Sequence, residues 1–145
     1  MTAIDFIKKF EGCKLKAYQK KGDLPTIGYG TTFYPNGVTV KLGDVITQSQ
    51  ADEYLSAYIV TMNGDIKKVL KAELNPNQRV AIMSFVYNFG ITKFKKSTLL
   101  KKININPEDP SIRDEFAKWI SKGTIFEKGL RIRRAAEADI YFTPC

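Results

Sequence analysis

Glu11, Asp23 and Thr26 are the residues of this sequence whose types and spacing suit chemistry. Glu11 closes a short segment of helical rhythm. Thr26 opens a stretch of β-forming residues, and Asp23 lies in the loop Tyr18-Gln19-Lys20-Lys21-Gly22-Asp23 between them. A helix end, a loop and a strand thus converge within sixteen residues. A carboxyl at a helix C-terminus meets the negative end of the helix dipole, and partial burial adds a desolvation penalty; both favour the protonated form. Such a group can hold a proton near neutrality and deliver it to a leaving oxygen. Asp23 supplies a second carboxylate, and Thr26 a hydroxyl that can hold a water. Two carboxyls and a positioned water are the requirements for cleaving a glycosidic bond. The plainer reading of Glu11 is a helix-end carboxylate paired with Lys8 or Lys14.

The absences narrow the chemistry further. The chain has no histidine, which excludes Ser-His-Asp and Cys-His catalysis, imidazole-ligated zinc and imidazole proton shuttles. Its two cysteines, Cys13 and Cys145, are too few for a four-cysteine zinc site or a disulfide framework, and two free thiols are expected. No cofactor and no metal are expected. The work falls to carboxylates, hydroxyls and lysines.

The 145 residues carry 23 Lys plus Arg against 15 Asp plus Glu, a net charge of +8, and 43% of them are hydrophobic. That composition suits one globular unit or two small lobes sharing a helix. No apolar run reaches the ~20 residues of a membrane span, and the N-terminus lacks the apolar stretch of a signal peptide. The expectation is a protein made in the cytosol. The charge calls for an anionic partner: nucleic acid, an acidic membrane or the bacterial wall.

The elements that must position these residues can be traced along the chain. Thr2 and Asp5 mark the start of a first helix and Gly12 its stop. Residues 26–34, the turn Pro35-Asn36-Gly37 and Val38-Thr39-Val40 predict a small antiparallel hairpin, with a third strand near Val45-Ile46. Gly28 and Gly30 leave one face of that first strand bare for a ligand, or else mark a tight bend. Thr47 and Gln50 form a capping box that opens a long helix through Leu70. Further helices start at Asn75-Pro76, Ser97 and Asp109-Pro110, and the last runs from about Gly129 to Phe142. In that last helix Arg131, Arg133 and Arg134 look like a nucleic-acid stripe. Pairing with Glu137 and Asp139 at the surface is favoured, because acids interleave.

Several strings together resemble the phage-type lysozymes, or endolysins, which are glycoside hydrolases. They are Phe10-Glu11-Gly12, Leu15-Lys16-Ala17-Tyr18-Gln19 and Thr26-Ile27-Gly28-Tyr29-Gly30. Ser84-Phe85-Val86-Tyr87-Asn88-Phe89-Gly90, Ser97-Thr98-Leu99-Leu100 and Gly129-Leu130 with Arg133-Arg134-Ala135-Ala136-Glu137 continue the match over nearly the whole chain. The resemblance implies an α+β fold: a β-rich lobe at about 12–47, a linking helix at about 48–72, and a helical lobe at about 75–145 that includes the N-terminal helix 2–11. It implies a substrate groove between the lobes. It also implies cleavage of the β-1,4 bond between N-acetylmuramic acid and N-acetylglucosamine. Glu11 matches the family's catalytic glutamate and Thr26 its catalytic threonine. Tyr18, Lys20, Gly28 and Gly30 are the expected substrate-binding positions.

One departure bears on the mechanism. The family places Asp, or sometimes Cys, nine residues after the glutamate and six before the threonine; here that residue is Lys20. An ammonium cannot serve as a general base, and a nearby cation favours the ionised form of a carboxyl. Three accounts remain open. Asp23 takes over, with the loop rearranged around Gly22; or Glu11 and Thr26 suffice, with Lys20 bound to substrate carboxylates; or the protein is a weak or inactive wall-binding homologue. The first is favoured. Thr31 stands where the family often has His, a structural position there. The expected partner is bacterial peptidoglycan, with no nucleic acid, no integral membrane segment and a monomeric state. The expected location is the host cytoplasm until a separate membrane pore admits the protein to the wall. Binding by charge alone to nucleic acid is the remoter alternative.

Overall fold

A computed structural model describes residues 1–145. In chain order the elements are α1 (Ala3–Phe10), β1 (Lys14–Tyr18), β2 (Thr26–Gly28), α2 (Gln48–Val69), α3 (Pro76–Phe89), α4 (Ile91–Lys95), α5 (Thr98–Ile105), α6 (Ile112–Ala117) and α7 (Glu127–Tyr141). The chain divides into two compact units, Ile4–Thr61 and Met1–Ala3 with Met62–Cys145, so α2 contributes residues to both. No helix is long and apolar enough to cross a membrane.

In the unit Ile4–Thr61, β1 and β2 pair antiparallel, with Lys14 opposite Gly28, Tyr18 opposite Thr26 and an irregularity between. This corrects the expected topology. The ladder joins residues 14–18 to 26–28, and the strand does not run on to residue 34. It ends at Gly28 because the chain turns back there. Ile27 and Thr31 exchange both backbone hydrogen bonds, at 2.9 and 2.8 Å, and Gly28 (φ 63°) and Gly30 (φ 103°) lie in the left-handed region between them. The tight bend, not the bare face, is what the two glycines make. The Pro35-Asn36-Gly37 turn is present, closed by Tyr34 N–H to the Val38 carbonyl, but it carries only one bridge, Phe33 to Thr39. The expected third strand is likewise a single bridge, Val45 to Lys16. Ile7, Ile27, Val40 and Leu55 are buried in this unit. Thr47 and Gln50 cap α2 reciprocally, at 2.9 and 3.1 Å.

In the other unit α3 is the central helix. Val80, Ala81, Ile82, Ser84, Phe85 and Val86 are buried in succession, the pattern of a helix covered on most sides, and α3 packs mainly on α7. Asn75 and Gln78 form its capping box, with Pro76 in the first turn, and Gly90 (φ 91°) ends it. Phe85 meets Trp119 edge-on at 5.3 Å and Phe116 at 6.0 Å, so α6 and the segment after it close over α3. Ser97 caps α5 through the Leu100 N–H. The helix α4 has no counterpart among the expected elements. Gly90 and Ser97 punctuate its ends, but in five residues it buries only Phe94.

The last helix needs a correction. Arg133, Arg134 and Glu137 are neither a nucleic-acid stripe nor surface pairs; all three are buried. Arg134 Nε lies 2.7 Å from Glu137 Oε1, and Arg134 stacks over Phe85 and Phe89. Of the three arginines only Arg131 is exposed, paired with Glu127 one turn back.

Candidate active site

The apolar pairs of α1 end at Phe10, and the Glu11 N–H donates to the Ile7 carbonyl at 3.0 Å, closing the last turn. Glu11 therefore emerges directly after the helix, half-buried, ahead of Gly12 and β1. Across the ladder, Thr26 stands opposite Tyr18, and both are half-buried. The Thr26 hydroxyl donates to the Leu24 carbonyl at 2.9 Å. With its hydrogen committed there, Thr26 Oγ1 keeps lone pairs to accept a hydrogen from a water.

The connection between the strands is a built turn. The Asp23 N–H donates to the Lys20 carbonyl at 2.9 Å, Gly22 takes φ 85°, and the Gln19 side-chain amide donates to the Asp23 carbonyl at 2.9 Å. Lys20 and Asp23 are both exposed on it. The glycines divide: Gly30 is exposed, whereas Gly28 is buried, and a Cβ on Gly28 would stand 3.5 Å from Ala51 and Ile46.

Behind these residues lies a network that the sequence reading missed. Lys8 pairs with Asp52 at 3.0 Å and sits over the Tyr29 ring. The Gln48 amide nitrogen donates to Asp52 at 3.0 Å and to the Tyr29 hydroxyl at 3.0 Å. The bond to Lys8 is the main reason the Asp52 carboxyl is held below its usual range, and the same bond raises Lys8. The network ties α1 and the residue after Gly28 to the first two turns of α2. Its only sequence signal was the four-residue spacing of Gln48 and Asp52. No cluster of metal-ligating side chains is present.

A family profile described as phage lysozyme matches residues 8–137. The chain belongs to the phage lysozyme family. It is 41% identical over 140 residues to an endolysin of Acyrthosiphon pisum secondary endosymbiont phage 1, covering 93% of this chain and 91% of that protein. An endolysin of Bacillus phage PZA is 34% identical over 97% of this chain, which spans about half (53%) of that longer relative. Among solved structures, an endolysin from Escherichia coli O157:H7 phage FAHEc1 superposes with a TM-score of 0.85 at 37% identity, covering 97% of this chain and 90% of that one. The mostly helical chain with a small two-stranded sheet is thus the lysozyme fold of this family.

Proposed function

We propose that this phage lysozyme is an endolysin muramidase in which Glu11 is the acid, Thr26 holds the attacking water and Asp23 is the base. The bond cleaved is the β-1,4 link between N-acetylmuramic acid and N-acetylglucosamine in peptidoglycan. Glu11 gives its proton to the bridging oxygen as the bond to the sugar's anomeric carbon breaks. A water donating one hydrogen to Thr26 Oγ1 directs a lone pair at that carbon, and the Asp23 carboxylate takes the proton released as the new C–O bond forms. Attack from the face opposite the leaving group inverts the anomeric configuration; such sites space their carboxyls ~6.5–9.5 Å apart.

The observation that carries this reading is the set of elements around β1 and β2. One compact unit holds Glu11 at the end of α1, Thr26 on the ladder and, three residues before Thr26, a hydrogen-bonded turn that presents Asp23. Gly22, at φ 85°, turns the chain between Lys20 and Asp23, and Asp23 is exposed on that turn. Tyr18, Lys20 and the exposed Gly30 hold substrate, with the Lys20 ammonium meeting stem-peptide carboxylates, while the buried Gly28 shapes the turn that carries Gly30. The protein acts as a monomer on peptidoglycan and not on nucleic acid, and it waits in the host cytoplasm until a separate pore opens the way to the wall.

Clearing of permeabilised bacteria and mass analysis of digested murein test the assignment. Glu11→Gln should lower the rate by about a hundredfold or more with the melting temperature unchanged; full activity would overturn the acid's assignment. Asp23→Asn should slow the reaction if Asp23 is the base. A large gain in Lys20→Asp with no loss in Asp23→Asn would place the impairment at Lys20 instead.

A further inference from the structure

We propose that the loop before α7, with the helix's first turns, is a docking surface for an anionic lipid membrane. It is independent of the roles given to Glu11, Thr26 and Asp23. Ile125 is 91% exposed, Phe126 59% and Ile132 58%. Ile125 and Phe126 are adjacent in the turn that precedes α7, and Ile132 is exposed on the helix itself. Three large apolar side chains are held in water within eight residues, two of them adjacent, in a segment that also carries exposed lysines.

The loop is built to keep them out. Ser121, at φ 47°, accepts hydrogen bonds on its carbonyl from both the N–H and the hydroxyl of Thr124. Thr124 Oγ1 accepts from the Phe126 N–H, and Glu127 accepts from the Gly123 N–H while pairing with Arg131. With its polar groups satisfied locally, the segment presents Ile125 and Phe126 without needing them for its own packing.

The charge around the patch selects the partner. Lys118 pairs with Glu115 and Arg131 with Glu127, so Lys122 and Lys128 carry the segment's excess positive charge. Lys122 and Lys128 are exposed on either side of Ile125 and Phe126. A second copy of the chain would bring like charges together. A glycan strand offers acids to the lysines but no apolar phase to an isoleucine and a phenylalanine. A bilayer rich in anionic headgroups offers both: phosphates for the cations and an acyl boundary for the apolar tip. A short apolar tip flanked by two lysines makes an attachment that is peripheral and reversible.

Sedimentation with vesicles tests this on the intact protein. Vesicles of phosphatidylethanolamine and phosphatidylglycerol should bind it, and phosphatidylcholine vesicles should not. Ile125→Ser with Phe126→Ser should weaken binding at least about tenfold, and Lys122→Gln with Lys128→Gln about twentyfold. Phe126→Trp should add a blue-shifted emission, over the wild-type signal of Trp119, on the anionic vesicles only. That variant reports on the tip even if the double serine variant is poorly folded. Activity on isolated murein should be unchanged in Ile125→Ser with Phe126→Ser. Equal binding by wild type and variants, or an unshifted emission from the Phe126→Trp variant, would overturn the proposal. So would loss of murein activity with lipid binding intact, which would make the patch a glycan contact. A concentration-dependent dimer abolished by the same substitutions would make it a self-interface.

Discussion

Glu137 has no exposed surface and lies between Arg134 at 2.7 Å and Arg133 at 3.4 Å, with the Ser84 hydroxyl donating to it. Burial pushes its carboxyl up, against the pull of the guanidiniums and of Ser84. Glu137→Gln removes the carboxylate from between two buried cations and should cost about 3–5 kcal/mol in urea unfolding. Arg131→Gln, which breaks an exposed pair with Glu127, should cost under about 1 kcal/mol. Glu115 behaves differently. Lys102 at 2.8 Å is the main reason its carboxyl is held below the usual range, with Lys118 adding to it. The folded protein therefore binds that proton less readily than the unfolded chain does. The resulting stability is complete above the ordinary glutamate pKa near 4.5 and is lost as pH falls through the lower folded value. Glu115→Gln should lower stability at neutral pH by about 1–2 kcal/mol and flatten the decline below pH 4.5, as read from melting temperature against pH. Residue types and spacing made Glu11 and Thr26 legible as candidates. They did not reveal that Arg134 and Glu137 are buried, because a pair three residues apart on a helix reads alike in water and in a core.

At the scale of elements, most boundaries were legible because their end signals are local. The capping boxes at Thr47 and Asn75, the Ser97 cap and the stop at Gly90 each depend on groups three or four residues apart. Asn75→Ala should destabilise the protein by about 1 kcal/mol, measured by thermal unfolding. The β region was less legible. Residues 26–34 have strand-forming side chains, but Ile27 and Thr31 pair with each other across Gly28 and Gly30, and the longer ladder is to β1. Strand pairing is a contact between distant segments, and β-propensity cannot choose among partners. Gly28→Ala tests the bend. The Cβ distances of 3.5 Å are ordinary contacts, so the cost of about 1–2 kcal/mol comes from the left-handed backbone. Were Gly28 an extended strand residue, the substitution would be neutral or stabilising.

For the whole molecule, the net charge of +8 and the anionic wall set a long-range attraction. The rate on intact murein should fall as salt rises from about 0.01 to 0.15 M, where the screening length shrinks from ~30 to ~8 Å. The rate on a short uncharged glycan should stay level, because only the polyanion gains from steering. A rate on murein independent of salt would show that the charge serves some other contact.

Composition, charge and the absence of histidine by themselves confine the chemistry to carboxylates, hydroxyls and lysines, since side-chain chemistry belongs to the residue itself. Helix rhythm and caps are likewise written locally, through bonds between near neighbours. What needed the tertiary structure was everything settled by distant segments meeting. The partner of β2, the burial of Arg134 against Phe85, and the exposure of Ile125 all depend on which surfaces the folded chain covers, and a linear pattern does not record that.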